Sequence, residues 1–207
     1  MSDTTYMPTM YGYAIAVQGG NGLPPLITPD DFAAQSQGRF SAADLRVIDA
    51  LNGVSSAIRS YCHWHVTPAL DCEIVTHGDG GRIISLPTLY LSAIGSVVED
   101  GIELTSGQYE ARSNGLIRRT GWKIWSTTWN AVTIDYNAGF PAEAVPEFRQ
   151  IVLQIAGSAV SAALGVREEH AGQVGVTYNQ TASGVSGGIS LLDRDKDMLA
   201  PFRISHI

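Results

Sequence analysis

Cysteine and histidine are the common ligands of zinc, and cysteine is also the strongest side-chain nucleophile. The run Ser60-Tyr61-Cys62-His63-Trp64-His65-Val66 sets one thiol and two imidazoles within four positions. On a helix Cys62 and His65 share a face at i, i+3 and His63 points elsewhere. In an extended chain His63 and His65 share a face and Cys62 turns away. Two of the three converge in either case, whereas a zinc site takes three or four ligands. Cys72 or His77 could complete a set, but no CxxC or HxxxH spacing recurs to support one. Pro68 ends any helix nearby. The run therefore reads as a helix's last turn, where histidine is favoured by the negative end of the dipole, and no metal is expected.

Two further motifs carry nominal chemistry. Gly184-Val185-Ser186-Gly187-Gly188 satisfies G-x-S-x-G, with Asp193 and His206 following in hydrolase order. A nucleophile elbow needs a buried strand before the serine and a helix directly after it; here the preceding residues are polar and "ISLL" reads as strand. "DRDKDMLAPFRI" alternates Asp193, Asp195 and Asp197 like a calcium loop, but Met198 stands where glycine is required and Ile204 where the bidentate glutamate belongs. No Gly-rich stretch continues into GK[ST], so phosphate binding by a P-loop is excluded. The segment "RRTGWKIWSTTW" interleaves Arg118, Arg119 and Lys123 with Trp122, Trp125 and Trp129. Such a mixture can stack bases and hold phosphates, or it can fill a core or a protein interface, where Trp and Arg are enriched.

Charge decides between those uses. The 207 residues hold 13 Lys+Arg against 20 Asp+Glu, a formal net charge of −7, which disfavours a broad phosphate-neutralising face. The tryptophans are therefore read as packing or interface residues. A hydrophobic content of 44% with 16% charged residues describes a globular chain that hides surface against partners. Two cysteines in no paired motif imply a reducing compartment, and the first residues show neither a basic signal region nor a membrane span.

The elements that must position these side chains follow from the hydrophobic period. Residues 1–26, rich in Gly and Pro, read as an irregular N-terminal arm. Thr28 can cap a short helix with Pro29 in its first turn and Gly38 at its close. Ser41 with Asp44 opens a longer helix whose stripe runs through Leu45, Ile48, Leu51, Ala57, Ile58 and Tyr61, with Val54 beside it. From about residue 69 the period changes to two, and Asp100-Gly101 and Asn114-Gly115 mark hairpins. A third helix starts at Pro146 and stops by Gly165, carrying small residues from Gly157 to Ala163 that let another helix approach. A Gly/Ser/Thr-rich stretch, 171–190, reads as a flexible loop before a short helix that Asp193 could cap. The fold class is α+β. A small helical bundle, built from 27–68 and 141–207, carries an inserted antiparallel β-domain over 69–140.

The order of these features resembles the head-to-tail connector, or adaptor, proteins of long-tailed bacteriophages, particularly those infecting actinobacteria. The resemblance is carried by "ITPDDFAAQSQGRFSAADLRVIDALNGVSSAIRSYCHWHVTP", "LPTLYLSAIGSVVEDGIELTSGQYEARSNGLIRRTGWKIWS", "VTIDYNAGFPAEAVPEFRQIVLQIA" and the segment ending "LLDRDKDMLAPFR", together about residues 27–203. It implies a structural virion protein at the head-tail joint, made in the host bacterial cytoplasm, with no catalytic residues, cofactor, metal or membrane. Its implied partners are the portal protein, a head-closure or other neck or tail protein, and copies of itself in a ring of about twelve with closed symmetry. DNA would be only a non-specific passenger in the channel. Under this reading Trp64, Trp122, Trp125, Gly175, Tyr178 and Phe202 are interface candidates. The alternatives are another neck or tail protein, such as a mainly β head-closure or tail-terminator subunit, and a small serine hydrolase using Ser186.

Overall fold

The computed structural model describes residues 5–17, 22–163, 168–171, 174–177 and 191–205. Its elements, in chain order, begin with β1 (Thr5–Pro8), β2 (Ala14–Val17), α1 (Pro29–Gln35), α2 (Leu45–Cys62) and β3 (Leu70–Thr76). Then come β4 (Ile83–Ser85), β5 (Leu91–Glu99), β6 (Ile102–Glu103), β7 (Tyr109–Ala111), β8 (Leu116–Arg119) and β9 (Val132–Ala138). The last are α3 (Pro146–Ala163), β10 (Glu168–Ala171), β11 (Val174–Thr177) and α4 (Asp193–Leu199). Helices and antiparallel sheets make the fold α+β. The chain forms two compact units: Met1–Leu23 with Cys62–Ala144 and Phe202–Ile207, and Pro24–Tyr61 with Val145–Pro201.

The β unit holds a six-stranded sheet in the order β1-β2-β3-β9-β5-β6 and a three-stranded sheet in the order β4-β8-β7. β9 alternates strictly between buried and half-buried positions, as a central strand with one covered face should. Its Val132, Ile134, Tyr136 and Ala138 join Cys72, Val97, Ile84, Ile117 and Trp125 in one apolar cluster. The opposite face of β3 and β9 carries Asp71, Glu73 and Asp135, with Glu73 directly across from Asp135. At Asp100-Gly101 both φ values are positive, 51° and 78°, as a type I′ turn requires. At Asn114-Gly115 only the glycine is, at 83°, and Gly115 N–H donates to the Arg112 carbonyl. That connection is the longer turn with a glycine bulge, not the two-residue one its dipeptide suggests.

The N-terminal segment corrects an expectation. Instead of an irregular arm, residues 5–8 and 14–17 are strands, and β2 pairs with β3 through Ala14↔Glu73 and Ile15↔Cys72. The cause is burial: Tyr13 and Ile15 enter the core, and the turn between the strands is tied by the Thr9 N–H and hydroxyl, both donating to the Tyr13 carbonyl. Four-residue strands ending in Pro8 are too short for a period to be read.

The helical unit follows its capping chemistry. Thr28 Oγ1 accepts from Asp31 N–H at 3.1 Å and Pro29 sits at the first helical position. α2 begins at Leu45 because Asp44, rather than Ser41, caps it, accepting from Arg46 N–H at 2.9 Å. Its buried stripe runs Val47, Leu51, Val54, Ile58, so Val54 is central and Leu45 is exposed, a rotation from the expected face. In α3, Phe148, Val152, Ile155, Ala156 and Val160 are buried. Asp193 opens α4 without capping it. Asp195 instead reaches back to accept from Leu192 N–H, while Asp193 pairs with Lys196. The stretch expected to be a flexible loop, 171–190, is described at Ala171 and at 174–177, which belong to two paired strands, β10 and β11; the remainder lies outside the described residues. Among the described residues no helix is long and apolar enough to cross a membrane.

Candidate interaction surface

The Cys/His run is a hydrogen-bonded core. α2 ends at Cys62, His63 and Val66 take positive φ, and the chain turns inward between them. His65 is fully buried. Its Nε2 lies 2.9 Å from the Ala138 carbonyl, which can only accept, so Nε2 carries the proton. Nδ1 then accepts from the Tyr13 hydroxyl at 2.7 Å, and that oxygen accepts in turn from His65 N–H at 3.1 Å. One imidazole thus joins β9, the β1–β2 hairpin and the helix exit. Gly139, at φ 114°, leaves no room for error, since a Cβ there would collide with the Pro68 carbonyl and His65 Nε2.

The flanking groups are equally committed. Trp64 is buried edge-on to His65 and Phe140, and its Nε1 donates to the Phe202 carbonyl at 2.8 Å. Burial pushes the Cys62 thiol up to about 12 against the opposing charge of Arg203. Burial, then the Asp71 carboxylate, does the same for Cys72, also to about 12. Thiols held protonated are poor nucleophiles and poor metal ligands. The side chains of Cys62, Trp64 and His65 therefore build structure, His63 stands exposed, and no group of His, Cys, Asp and Glu able to hold a metal occurs among the described residues.

The tryptophan segment divides three ways. Trp125 is wholly buried under Arg119, whose guanidinium lies 5.3 Å from the indole centroid. Gly78 is needed there because its Cα approaches the Trp125 backbone too closely for a Cβ. Backbone bonds from Gly78 N–H to the Ser126 carbonyl and from Trp125 N–H to the Gly81 carbonyl, at 2.6 and 2.9 Å, tie the 77–82 loop to the 121–131 loop. Beneath them Arg119 pairs with Glu99 at 3.2 Å, both nearly buried, joining β8 of one sheet to β5 of the other. Glu99 also accepts from Ser126 N–H at 2.8 Å.

On this fixed floor stand the other two indoles. Trp122 is 95% exposed and Trp129 80% exposed. Trp129 stacks on His77 at 4.9 Å, and Arg82 lies 6.0 Å from the Trp122 centroid. Lys123 and Ile124 are exposed just after Trp122 in sequence, and Ile83 just after Arg82. Each indole offers about 150–250 Å² of coverable surface, and a rigid, amphipathic side chain loses little entropy on docking. Large apolar groups held out in water by a pinned loop make this the candidate interaction surface.

The named candidates thus separate. Trp122 is surface; Trp64 and Trp125 are core and offer nothing to a partner. Phe202 is half-buried with its carbonyl engaged by Trp64. Gly175 lies in β11 opposite His170. Tyr178, Ser186 and His206 lie outside the described residues. Arg82 joins Trp122 and His77 joins Trp129 on the loops that the backbone bonds tie together; Ile124 and Trp129 fall in the segment where cations and aromatics interleave, whereas Arg82, on the 77–82 loop, had no such signal. In the helical unit, an open groove of about 730 Å³ runs between the end of α1 and α3, lined by Phe32, Arg39, Phe40, Gln154, Gly157 and Ser161 among others.

No protein-family model matches the chain, and no curated protein matches it. Among the solved structures that share its fold are two from gene transfer agent particles. A chain from the neck of an empty gene transfer agent particle, computed with C6 symmetry, aligns with a TM-score of 0.58 at 17% identity, covering 90% of this chain and 96% of that one. A chain from the virion of a native gene transfer agent particle aligns with a TM-score of 0.58 at 16% identity, covering 94% and 96%. At such identity the likeness is one of fold.

Proposed function

We propose that this chain is a structural subunit of the neck of a phage or phage-like particle, and within the neck a head-to-tail connector. The observation that carries the reading is the fold likeness to a neck chain, which spans 90% of this chain and 96% of that one. The sequence resemblance supports it independently over residues 27–203. In this role copies form a ring beneath the portal protein, of about twelve by the resemblance, with the closed symmetry usual for homo-oligomers. The ring extends the DNA channel and offers a docking surface to the next neck component, and the net charge of −7 lets DNA pass without adhering. The role needs no enzymatic chemistry, and the committed hydrogen bonds of His65 and the protonated thiols accord with that.

α2 and α3, each of 18 residues, weigh against a mainly β head-closure or tail-terminator subunit. Deleting the gene from its phage and imaging the lysate tests the proposal. DNA-packaged or emptied heads beside separate finished tails are expected; normal particles would overturn it. Lack of Ser186 labelling by a fluorophosphonate probe is the matching expectation against hydrolase chemistry.

A further inference from the structure

We infer that the aromatic and cationic surface around Trp122 and Trp129 receives a second copy of this chain, docking through the acidic outer face of its six-stranded sheet. The inference deepens the ring reading and rests on its self-association, though not on the neck location.

Both halves of the contact are built into the β unit. Asp71 and Glu73 alternate along β3 on the face opposite the buried Cys72, and Asp135 lies on β9 directly across from Glu73. Like charges placed opposite each other destabilise a sheet, so this arrangement costs the isolated chain something. The carboxylates are nonetheless held in place: Asp135 accepts from Ser96 Oγ at 2.7 Å and Asp71 from Asn137 Nδ2 at 2.8 Å. Tyr6 feels the same field. Its phenol is held above its ordinary value first by burial and then by Asp135, Asp71 and Glu73. Asp71, Glu73 and Asp135 form no ion pair with any described residue.

The aromatic surface has the opposite surplus. Arg82 and Lys123 flank Trp122 and likewise form no ion pair among the described residues, although the chain has fewer cations than acids. The Arg82 guanidinium is held in place by one Nη, which donates to the Arg119 carbonyl at 3.1 Å. The surface thus carries cations without anions, and the sheet face supplies the anions. The apolar area fits as well. Two indoles with Ile124 approach half or more of the roughly 800 Å² per partner that a stable interface covers.

The contact is tested by charge reversal in the full chain, with sedimentation velocity up to millimolar protein. Arg82→Glu/Lys123→Glu and Asp71→Lys/Glu73→Lys should each weaken self-association about tenfold or more, and mixing the two variants should restore it as a hetero-complex. Glu73→Lys alone should raise the thermal midpoint, by removing the pair with Asp135, while weakening association; a merely structural carboxylate would not move both. Trp122→Ser, at a solvated position, should weaken association without unfolding. Self-association unchanged in every variant would remove this surface and leave the ring intact. A wild-type chain monomeric at millimolar concentration would overturn the contact, while the gene-deletion experiment decides the neck role separately. Saturable, Trp122-dependent binding of a single-stranded oligonucleotide without self-association would also overturn it.

Discussion

Two segments of this chain concentrate its reactive and aromatic residues, Cys62–Val66 and Arg118–Trp129, and they come to opposite ends. In the first every side chain from Trp64 to Val66 is buried, and the His65 ring is held at both nitrogens. In the second one indole is buried and two stand in water on a loop that cannot retreat. The difference lies in what each segment can satisfy internally. A buried imidazole has two polar atoms, and Tyr13 with Ala138 meets both, so nothing remains to react. An indole presents mostly apolar surface, and at Trp122 and Trp129 the fold supplies little to cover it. Saturation makes structure, and its absence leaves the surface we propose for a partner.

The comparison breaks most readily at the floor of the aromatic surface. Replacing Glu99 with alanine leaves the Arg119 charge nearly buried and alone, which should cost about 3–5 kcal/mol in urea unfolding. The double variant Glu99→Leu/Arg119→Met should recover most of that loss. If the single and double variants are equally unstable, the ion pair is not what holds the two sheets under the tryptophans.

Next is the histidine itself. His65→Phe keeps the ring but leaves the Tyr13 O–H without its acceptor and takes the imidazole donor from the Ala138 carbonyl, and should cost about 2–3 kcal/mol. Chelators should leave the wild type's melting midpoint unchanged. A variant as stable as wild type would mean that the hydrogen bonds, and with them the contrast between the segments, carry no weight.

That contrast was only partly legible in the amino-acid order. The strands from β3 to β9 follow from alternation, and the starts of α1 and α3 from Thr28 and from Pro146. β1 and β2 were hidden because each is four residues long and β2, on which β1 pairs, is stabilised by pairing with β3, more than fifty residues further on. The role of His65 was hidden for the same reason: its partners are 52 and 73 positions away. Within "GWKIWSTTW" no regular period says which indole turns inward. The close approach of Gly78 to Trp125 settles it, and that is a tertiary fact.

Alkaline pH probes the saturated segment more gently. The thiols of Cys62 and Cys72 titrate near 9.0 when exposed and near 12 when folded. Below pH 9 both states keep these protons. Between 9 and 12 the unfolded chain releases them first, so stability falls as pH rises, by up to about 1.4 kcal/mol per pH unit for each thiol. Comparing wild type with Cys62→Ala/Cys72→Ala separates this slope from that of the tyrosines and lysines. An identical slope in both would show that the thiols are not shielded.

The smallest effect on stability is expected where the sequence looks most conspicuous. Trp122 is the most exposed large apolar residue described, and its removal takes away almost no packing. Trp122→Ser should therefore shift the unfolding free energy by no more than about 0.5 kcal/mol, whereas Trp125→Ser, three residues further along the same loop but wholly buried, should cost about 3–5 kcal/mol. Measuring both in one chemical denaturation series asks whether exposure alone separates interface from core within a single loop. If Trp122→Ser destabilised the chain as much as Trp125→Ser, the indole would be packing against the fold, and the aromatic surface would be another piece of core.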